Sequence, residues 1–150
     1  SIVLSPDNLD GQFISPPAFE ENLAASYRAT ADALHEGGKL LVVHVGGPVR
    51  ALLPGLSASG IDCVEGVCGT PQGDTSLQEA RALCGPATTL WGGIAQDFLL
   101  STRGQDEFEA AADAAFAQAA GDPRAVVGVA DRVPVAALPE RLLQLARRGS

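Results

Sequence analysis

Five short aliphatic runs are spaced along the chain, and each of them stops at polar or glycine-rich sequence. Continuous apolar runs of about four to eight residues are typical of strands that are buried on both faces of a parallel sheet. We therefore predict five strands, at Ile2–Ser5, Lys39–His44, Ile61–Glu65, Ala87–Trp91 and Ala125–Ala130.

Helical periodicity fills the segments between these runs. In the first segment, Phe19, Leu23 and Tyr27 recur at the spacing that forms one apolar face of a helix. Ser15 offers a capping hydroxyl directly before the prolines that begin this helix. The predicted helices are Ala18–Glu36, Pro48–Ala58, Ser76–Leu83, Gln105–Ala120 and Leu138–Arg147.

This alternation of strand and helix predicts an α/β fold with right-handed crossovers and a parallel sheet. Both a doubly wound sheet and part of an eight-fold barrel fit the pattern. A complete (β/α)₈ barrel typically needs about 250 residues, whereas this chain has 150. The sequence contains no internal repeat and no linker, so residues 1–150 are predicted to form a single domain.

Charge, hydropathy and cysteine content narrow the expected partners and compartment. The net charge is −8 and the ten Lys and Arg residues are scattered, which argues against nucleic acid. No segment approaches the roughly 20 apolar residues that cross a bilayer, and the start lacks a signal-peptide pattern. The odd set Cys63, Cys68 and Cys84 argues against a disulfide framework. We expect a cytoplasmic protein that does not bind membranes.

Three side chains at predicted strand ends carry the candidate chemistry: His44, Glu65 and Asp131. Because the carboxyl ends of parallel strands meet on one face, these residues are expected to be neighbours and to be catalytic. One imidazole and two carboxylates can hold zinc with a position left open for substrate, or they can form an acid–base cluster without metal. A hydrogen-bonded structural role for each of them is the plain alternative.

Three further residues at strand ends are candidates for binding a small-molecule substrate: Asp7, Asn8 and Trp91. Asp7 and Asn8 are also common turn formers, and Trp91 can simply pack a pocket wall. The Walker-type phosphate loop, the dinucleotide-binding glycine motif and the nucleophile elbow of serine hydrolases are all missing. His35, the other histidine, lies at a predicted helix end, where it is expected to interact with the helix carboxyl terminus.

Several segments, in this order and spacing, resemble the later half of the uroporphyrinogen decarboxylase superfamily, which includes the cobalamin-dependent methyltransferases. The matching segments are Asp7–Pro16, Gly38–Lys39, His44–Gly47, Gly60–Glu65, Gly73–Arg81, Leu90–Ile94 and Val133–Arg141. The resemblance implies a TIM-barrel-like fold, of which this chain would form the C-terminal portion, a partial barrel of about five strands. It also places the active site at the carboxyl ends of the strands.

In the zinc-dependent methyltransferase branch, the resemblance implies a metal held by a His-x-Cys pair, in some members a Glu on the next strand, and a Cys on the last strand. These positions correspond to His44, Gly46, Glu65 and Asp131, so both cysteine positions differ here. A zinc ion bound by His44, Glu65 and Asp131 would be a harder Lewis acid than one bound by thiolates. The resemblance therefore favours activation of an oxygen or amine methyl donor over methyl transfer to a thiol.

Three functional hypotheses follow. The leading one is a methyltransferase that moves a methyl group from a small methylated substrate to a corrinoid acceptor on a corrinoid protein. The second is a catalytically incomplete half-barrel module that forms a homo-oligomer or pairs with an N-terminal partner, because an open sheet exposes apolar surface. The third is an acid–base lyase of the uroporphyrinogen decarboxylase type, which needs no metal.

Overall fold

A computed structural model describes residues 1–149 and contains one parallel sheet of five strands. The strands are β1 (Ile2–Leu9), β2 (Leu40–Val45), β3 (Cys63–Val67), β4 (Thr89–Ile94) and β5 (Ala125–Val129). Each strand pairs with the next one along the chain, in the order β1-β2-β3-β4-β5. The predicted α/β class with a parallel sheet is confirmed, and the arrangement is that of a partial barrel.

Six α-helices are described between and after the strands: α1 (Pro16–Asn22), α2 (Ala24–Glu36), α3 (Leu53–Ala58), α4 (Leu77–Cys84), α5 (Gln105–Ala119) and α6 (Pro139–Arg148). A short 3₁₀ helix, Gln96–Leu99, follows β4. The long helix predicted after β1 is two helices, because the backbone leaves helical geometry at Leu23. Residues 48–52, predicted as helix, instead form the loop that leads into α3.

Helices cover only one face of the sheet within residues 1–149, which corrects the expectation that both faces of the strands are covered. Leu41, Val43 and Val45 point to the helices and are at most 1% exposed, because α1 to α5 cover that face. Alternate residues of β2, from Leu40 through Val42 to His44, lie on the opposite face, which we call the inner face. Apolar side chains remain open there, with Ile2 70% and Leu4 53% exposed.

β1 is longer than predicted and contains the residues expected to form a turn. It continues through Asp7 and Asn8 to Leu9, and its register with β2 shifts between Ser5 and Leu9. Asn8 adopts a left-handed backbone conformation with φ 52° at this irregularity. Such a conformation costs an asparagine less than most residues, so the strand changes direction here without a glycine.

Polar side chains near residue 75 cap α4 and connect two of the loops at the edge of the sheet. Ser76 caps α4 in a capping box with Glu79, and Asp74, two residues earlier, is not the cap. Asp74 instead accepts hydrogen bonds from the backbone of Val49 and Arg50, at 2.9 and 3.0 Å. The loop after β2 is therefore tied to the loop after β3, on the edge of the sheet where the strands end.

The last helix is attached through one buried cation. Arg141 is 3% exposed and donates hydrogen bonds to the carbonyl oxygens of Phe98, Leu100 and Arg103, at 2.7 to 2.8 Å. Its guanidinium also lies over the Phe108 ring. These bonds fix α6 to the segment after the 3₁₀ helix. Among residues 1–149, no helix has both the length and the apolarity that a membrane crossing requires.

Candidate active site

Backbone register places three of the predicted site residues in one row across the inner face. His44 of β2 pairs with Glu65 of β3, and Glu65 pairs with Trp91 of β4. The side-chain period of a strand then directs all three to the same face. The expectation that strand-end residues distant in sequence become neighbours therefore holds for these positions.

The His44 imidazole and the Glu65 carboxylate form a direct hydrogen bond between Nδ1 and Oε2. Both side chains are largely buried, at 14% and 13% exposure. A carboxylate only accepts hydrogen bonds, so Nδ1 carries the proton and Nε2 is left to face the rest of the site. This pair thus fixes both the ring orientation and the nitrogen that is available to a ligand.

Asp131 reaches the same histidine from the end of β5. Its Oδ1 lies 3.7 Å from His44 Nε2, on the opposite side of the ring from Glu65. The residue has φ 65°, a left-handed conformation that turns the chain directly after the strand. The structure therefore brings His44, Glu65 and Asp131 together, as the convergence of strand ends predicts.

Two glutamines that the sequence reasoning missed support Asp131. Gln96 Nε2 donates to Asp131 Oδ2 at 3.5 Å, and the Gln96 backbone N–H donates to Gln72 Oε1 at 3.0 Å. Because Oδ2 is held by Gln96, Oδ1 is the oxygen that faces His44. Gln96 follows β4 by two residues, so its position just after a strand was a usable signal.

Asn8 lies against the backbone of the loop that follows His44. A Cβ atom at Gly46 would overlap Asn8 Oδ1 and lie 2.7 Å from its Cγ. The Asn8 side chain thus occupies the space that a cysteine at position 46 would need. Asn8 therefore lies at the rim of the site and fills the space beside Gly46.

The Nε1–Cδ1 edge of the Trp91 ring packs closely against Gly128 of β5, which has no side chain. A Cβ at Gly128 would be 2.7 Å from the indole Nε1. The ring is 41% exposed on the inner face, where it lines a cavity of about 230 Å³ together with Val42 and Val126. Trp91 is therefore available to a ligand on this face.

Asp7 is directed away from this group of residues. Its Oδ2 accepts hydrogen bonds from the Tyr27 hydroxyl of α2 at 2.5 Å and from Ser5 Oγ at 2.6 Å. Burial, and to a lesser extent the hydrogen bond to Asp7, raises the pKa of Tyr27 well above its ordinary value. Asp7 thus joins β1 to α2, and its proposed part in substrate binding has no contact in the site to support it.

The other histidine and two of the cysteines lie in structural environments. His35 Nε2 contacts Asp62 Oδ2 at 2.8 Å, where we expected an interaction with the end of α2. Cys63 and Cys68 are buried, and burial raises the pKa of their thiols to about 12 and about 11. Neither thiol is a thiolate at neutral pH, so neither is an activated nucleophile.

The donor set does not fit a zinc centre with three protein ligands. Within residues 1–149, no group of three His, Cys, Asp or Glu side chains is arranged to hold a metal ion. The hydrogen bond between His44 and Glu65 leaves no space for an ion between these two side chains. Asn8 also fills the place of the cysteine ligand at Gly46. Zinc stays a prediction from the resemblance.

The fold is shared with a solved methyltransferase from Methanosarcina mazei, with a TM-score of 0.69 and 18% sequence identity. The match covers 99% of this chain and 42% of that chain, so the present chain spans less than half the length of its structural neighbour. No family model matches the sequence, and no curated protein does. At this identity, the likeness establishes the fold of the sheet and helices.

Proposed function

We propose that this chain provides the histidine–carboxylate part of a methyltransferase active site that acts on a small methylated substrate. The observation that carries the proposal is His44, held by Glu65 at Nδ1 and facing Asp131 at Nε2. Its place at the carboxyl ends of parallel strands is where barrel enzymes bind substrates. The shared fold with a methyltransferase supports the same reaction class.

In this proposal, His44 is the proton donor to the leaving group. An electron pair of the acceptor forms a bond to the methyl carbon, and the bond from that carbon to the substrate oxygen breaks. The oxygen keeps the bonding pair and takes a proton from Nε2 of the protonated imidazole, so an alcohol leaves. Glu65 holds the ring through Nδ1, and the Asp131 carboxylate near Nε2 stabilises the protonated imidazole.

The proposed acceptor is a corrinoid carried by a partner protein, as the resemblance to cobalamin-dependent methyltransferases implies. A reduced corrinoid is a strong nucleophile toward methyl carbon, and it enters as a second substrate. The inner face beside His44 is open to solvent, so a large acceptor could approach the methyl group from that side. A small aliphatic methyl ether is the corresponding donor.

The test is methyl transfer from small methyl ethers and methylamines to reduced cobalamin, followed by the absorbance of the corrinoid. His44→Phe should lower the rate by roughly 10² to 10⁴, the usual contribution of a positioned proton donor. His35→Phe is the matched control, because His35 pairs with Asp62 outside the site. Equal rates in the two variants would contradict the proposal, as would release of carbon dioxide from a carboxylated substrate without methyl transfer.

Activity in the presence of a chelator, together with metal analysis, distinguishes a site in which His44 acts without metal from one in which it binds zinc. If His44 acts as the proton donor alone, activity survives a chelator and the purified chain contains no stoichiometric zinc. Bound zinc that disappears in His44→Phe would instead support the metal site implied by the resemblance.

The open inner face supports a second candidate function, that of a barrel module completed by further strands. Ile2, Leu4 and Leu40 are 70%, 53% and 47% exposed, although soluble proteins usually cover contiguous apolar strands. The two edge strands, β1 and β5, run in the same direction. Three additional β/α units between them would therefore close an eight-stranded parallel barrel. An N-terminal partner fits this count better than a second copy, which would bring five strands.

Fluorescence from Trp91 tests this module function, because Trp91 is the sole tryptophan and lies on the inner face. Adding a polypeptide that supplies the missing strands should lower quenching of Trp91 by acrylamide. Light scattering should then give the mass of a one-to-one complex. Unchanged quenching, or a stable dimer of the chain alone, would exclude the N-terminal partner.

A further inference from the structure

A second cavity, of about 440 Å³, adjoins the site at the ends of β4 and β5. Gln96 and Asp97 of the 3₁₀ helix form one wall, and the segment from Arg132 to Val135 forms the other. Its volume lies in the range of about 300 to 1,000 Å³ that is usual for small-molecule sites. Neither the sequence patterns nor the resemblance assigns a role to these residues.

Two opposite charges line this cavity without pairing with each other. Within residues 1–149, the Arg132 guanidinium and the Asp97 carboxylate have no ion-pair partner within 4 Å and no side-chain hydrogen bond. Other arginines near this part of the fold are engaged, since Arg103 contacts Glu107 and Arg141 binds three carbonyl oxygens. Arg132 and Asp97 are therefore a cation and an anion that face one space with no protein partner.

Gln96 connects this cavity to His44. Gln96 lines the cavity, and its side chain donates to Asp131 Oδ2, whose other oxygen faces His44 Nε2. Arg132 directly follows Asp131, so the cation and the catalytic carboxylate share one turn of the chain. Gln96 is thus shared between the wall of this cavity and the support of the Asp131–His44 pair.

We propose that this cavity binds the head of a small zwitterion, with its carboxylate on Arg132 and its ammonium group on Asp97. A guanidinium matches a carboxylate with two parallel hydrogen bonds, and a carboxylate accepts from an ammonium group. The methylated substrate class is then an amino acid that carries a methyl ether. The identity of this molecule as a methyl donor rests on the proposed function, whereas its binding does not.

Calorimetric titration of the chain with O-methyl-L-serine tests the site, with two matched analogues. 3-Methoxypropionate lacks the ammonium group, and 2-methoxyethylamine lacks the carboxylate, so each should bind at least tenfold more weakly. Arg132→Leu and Asp97→Asn should each weaken binding of O-methyl-L-serine at least tenfold. Arg28→Leu and Asp32→Asn, two exposed substitutions on α2, should bind like the unmodified chain.

The outcomes separate this proposal from the proposed function. Equal binding of all three molecules, unchanged affinity in the Arg132 and Asp97 variants, or no binding would overturn it. His44→Phe should still bind O-methyl-L-serine, because His44 does not line the cavity. If the unmodified chain binds O-methyl-L-serine but transfers no methyl group, this result would contradict the proposed reaction and still support the zwitterion site. Circular dichroism of each variant confirms that weaker binding does not come from unfolding.

Discussion

The side chain of Asn8 occupies the volume that any side chain at Gly46 would require, with Asn8 Cγ 2.7 Å from the position of a Cβ there. Gly46 lies two residues after His44, at the position where the sequence resemblance implies a cysteine. The two residues therefore depend on each other sterically. A cysteine at position 46 requires the Asn8 side chain to move or to be removed.

Gly46→Cys alone should destabilise the protein by less than about 1 kcal/mol, below the usual cost of overpacking a closed core, because the exposed Asn8 side chain can shift aside. Urea unfolding measures this loss. Gly69→Cys is the matched control, because nothing lies within 4 Å of a Cβ at Gly69. A loss of equal size in the control would mean that the Asn8 contact is not the cause.

Adding Asn8→Gly to Gly46→Cys should restore most of the lost stability. Glycine tolerates the left-handed backbone at position 8 and vacates the space over position 46. The double variant also places a thiolate ligand near His44, so we expect it to bind cobalt(II) with a thiolate charge-transfer band. Failure to recover stability would show that more than the Asn8 side chain excludes a cysteine.

Gly128→Ala should displace the Trp91 ring, since the new methyl group would lie 2.7 Å from the indole Nε1. The ring is half-exposed and can rotate, so the expected loss of stability is below the roughly 1 kcal/mol at which overpacking of closed cores begins. The measurement is the emission maximum of the single tryptophan. Gly69→Ala should leave the emission unchanged, and an unchanged spectrum in Gly128→Ala would contradict the contact.

The three thiols should resist Ellman's reagent at pH 8 in the folded protein and react completely in urea. Burial raises the pKa of Cys63 to about 12, and of Cys68 and Cys84 to about 11. Since the folded pKa values lie above the unfolded value of 9.0, the stabilising contribution is present below pH 9 and falls as pH rises through 11 to 12. Rapid reaction of one thiol in the native state would contradict this burial.

Acid should weaken the start of α4 through Glu79. Hydrogen bonds from the Ser76 backbone, and then from Arg50, lower the pKa of Glu79 from 4.5 to about 2. Because the folded pKa lies below the unfolded one, this contribution is present above pH 4.5 and is lost as pH falls toward 2. Glu79→Gln should flatten the dependence of unfolding on pH in that window, whereas Glu21→Gln, an exposed change on α1, should not.

Much of the fold was accessible from the sequence, because local patterns determine it. Aliphatic runs predicted all five strands, and β2 and β5 begin and end within one residue of their predicted bounds. The break at Leu23 was not predicted, since the apolar spacing continues through it. Burial on one face was also missed, because a buried strand and a strand of an open barrel can have the same apolar composition.

The candidate site was partly predictable for a geometric reason. Residues at the ends of parallel strands converge, and this placed His44, Glu65 and Asp131 together. The support from Gln96 and the packing of Asn8 depend on left-handed backbone at Asp131 and Asn8, which no sequence periodicity encodes. The direction of Asp7 toward Tyr27 depends on the register shift within β1 and was equally inaccessible.

Because the strands are ordered sequentially, every strand within residues 1–149 finds its sheet partners among its neighbours in the chain. Loss of β5 would break one pairing and leave the other three intact, so opening of this sheet can proceed from an end, one unit at a time. Asp131 follows β5 and would leave with it, whereas His44 and Glu65 would stay paired on the strands between. When the sheet opens from the β5 end, Asp131 therefore separates from His44 before Glu65 does. Backbone amides should exchange slowly as far as Glu65 and faster toward Asp131.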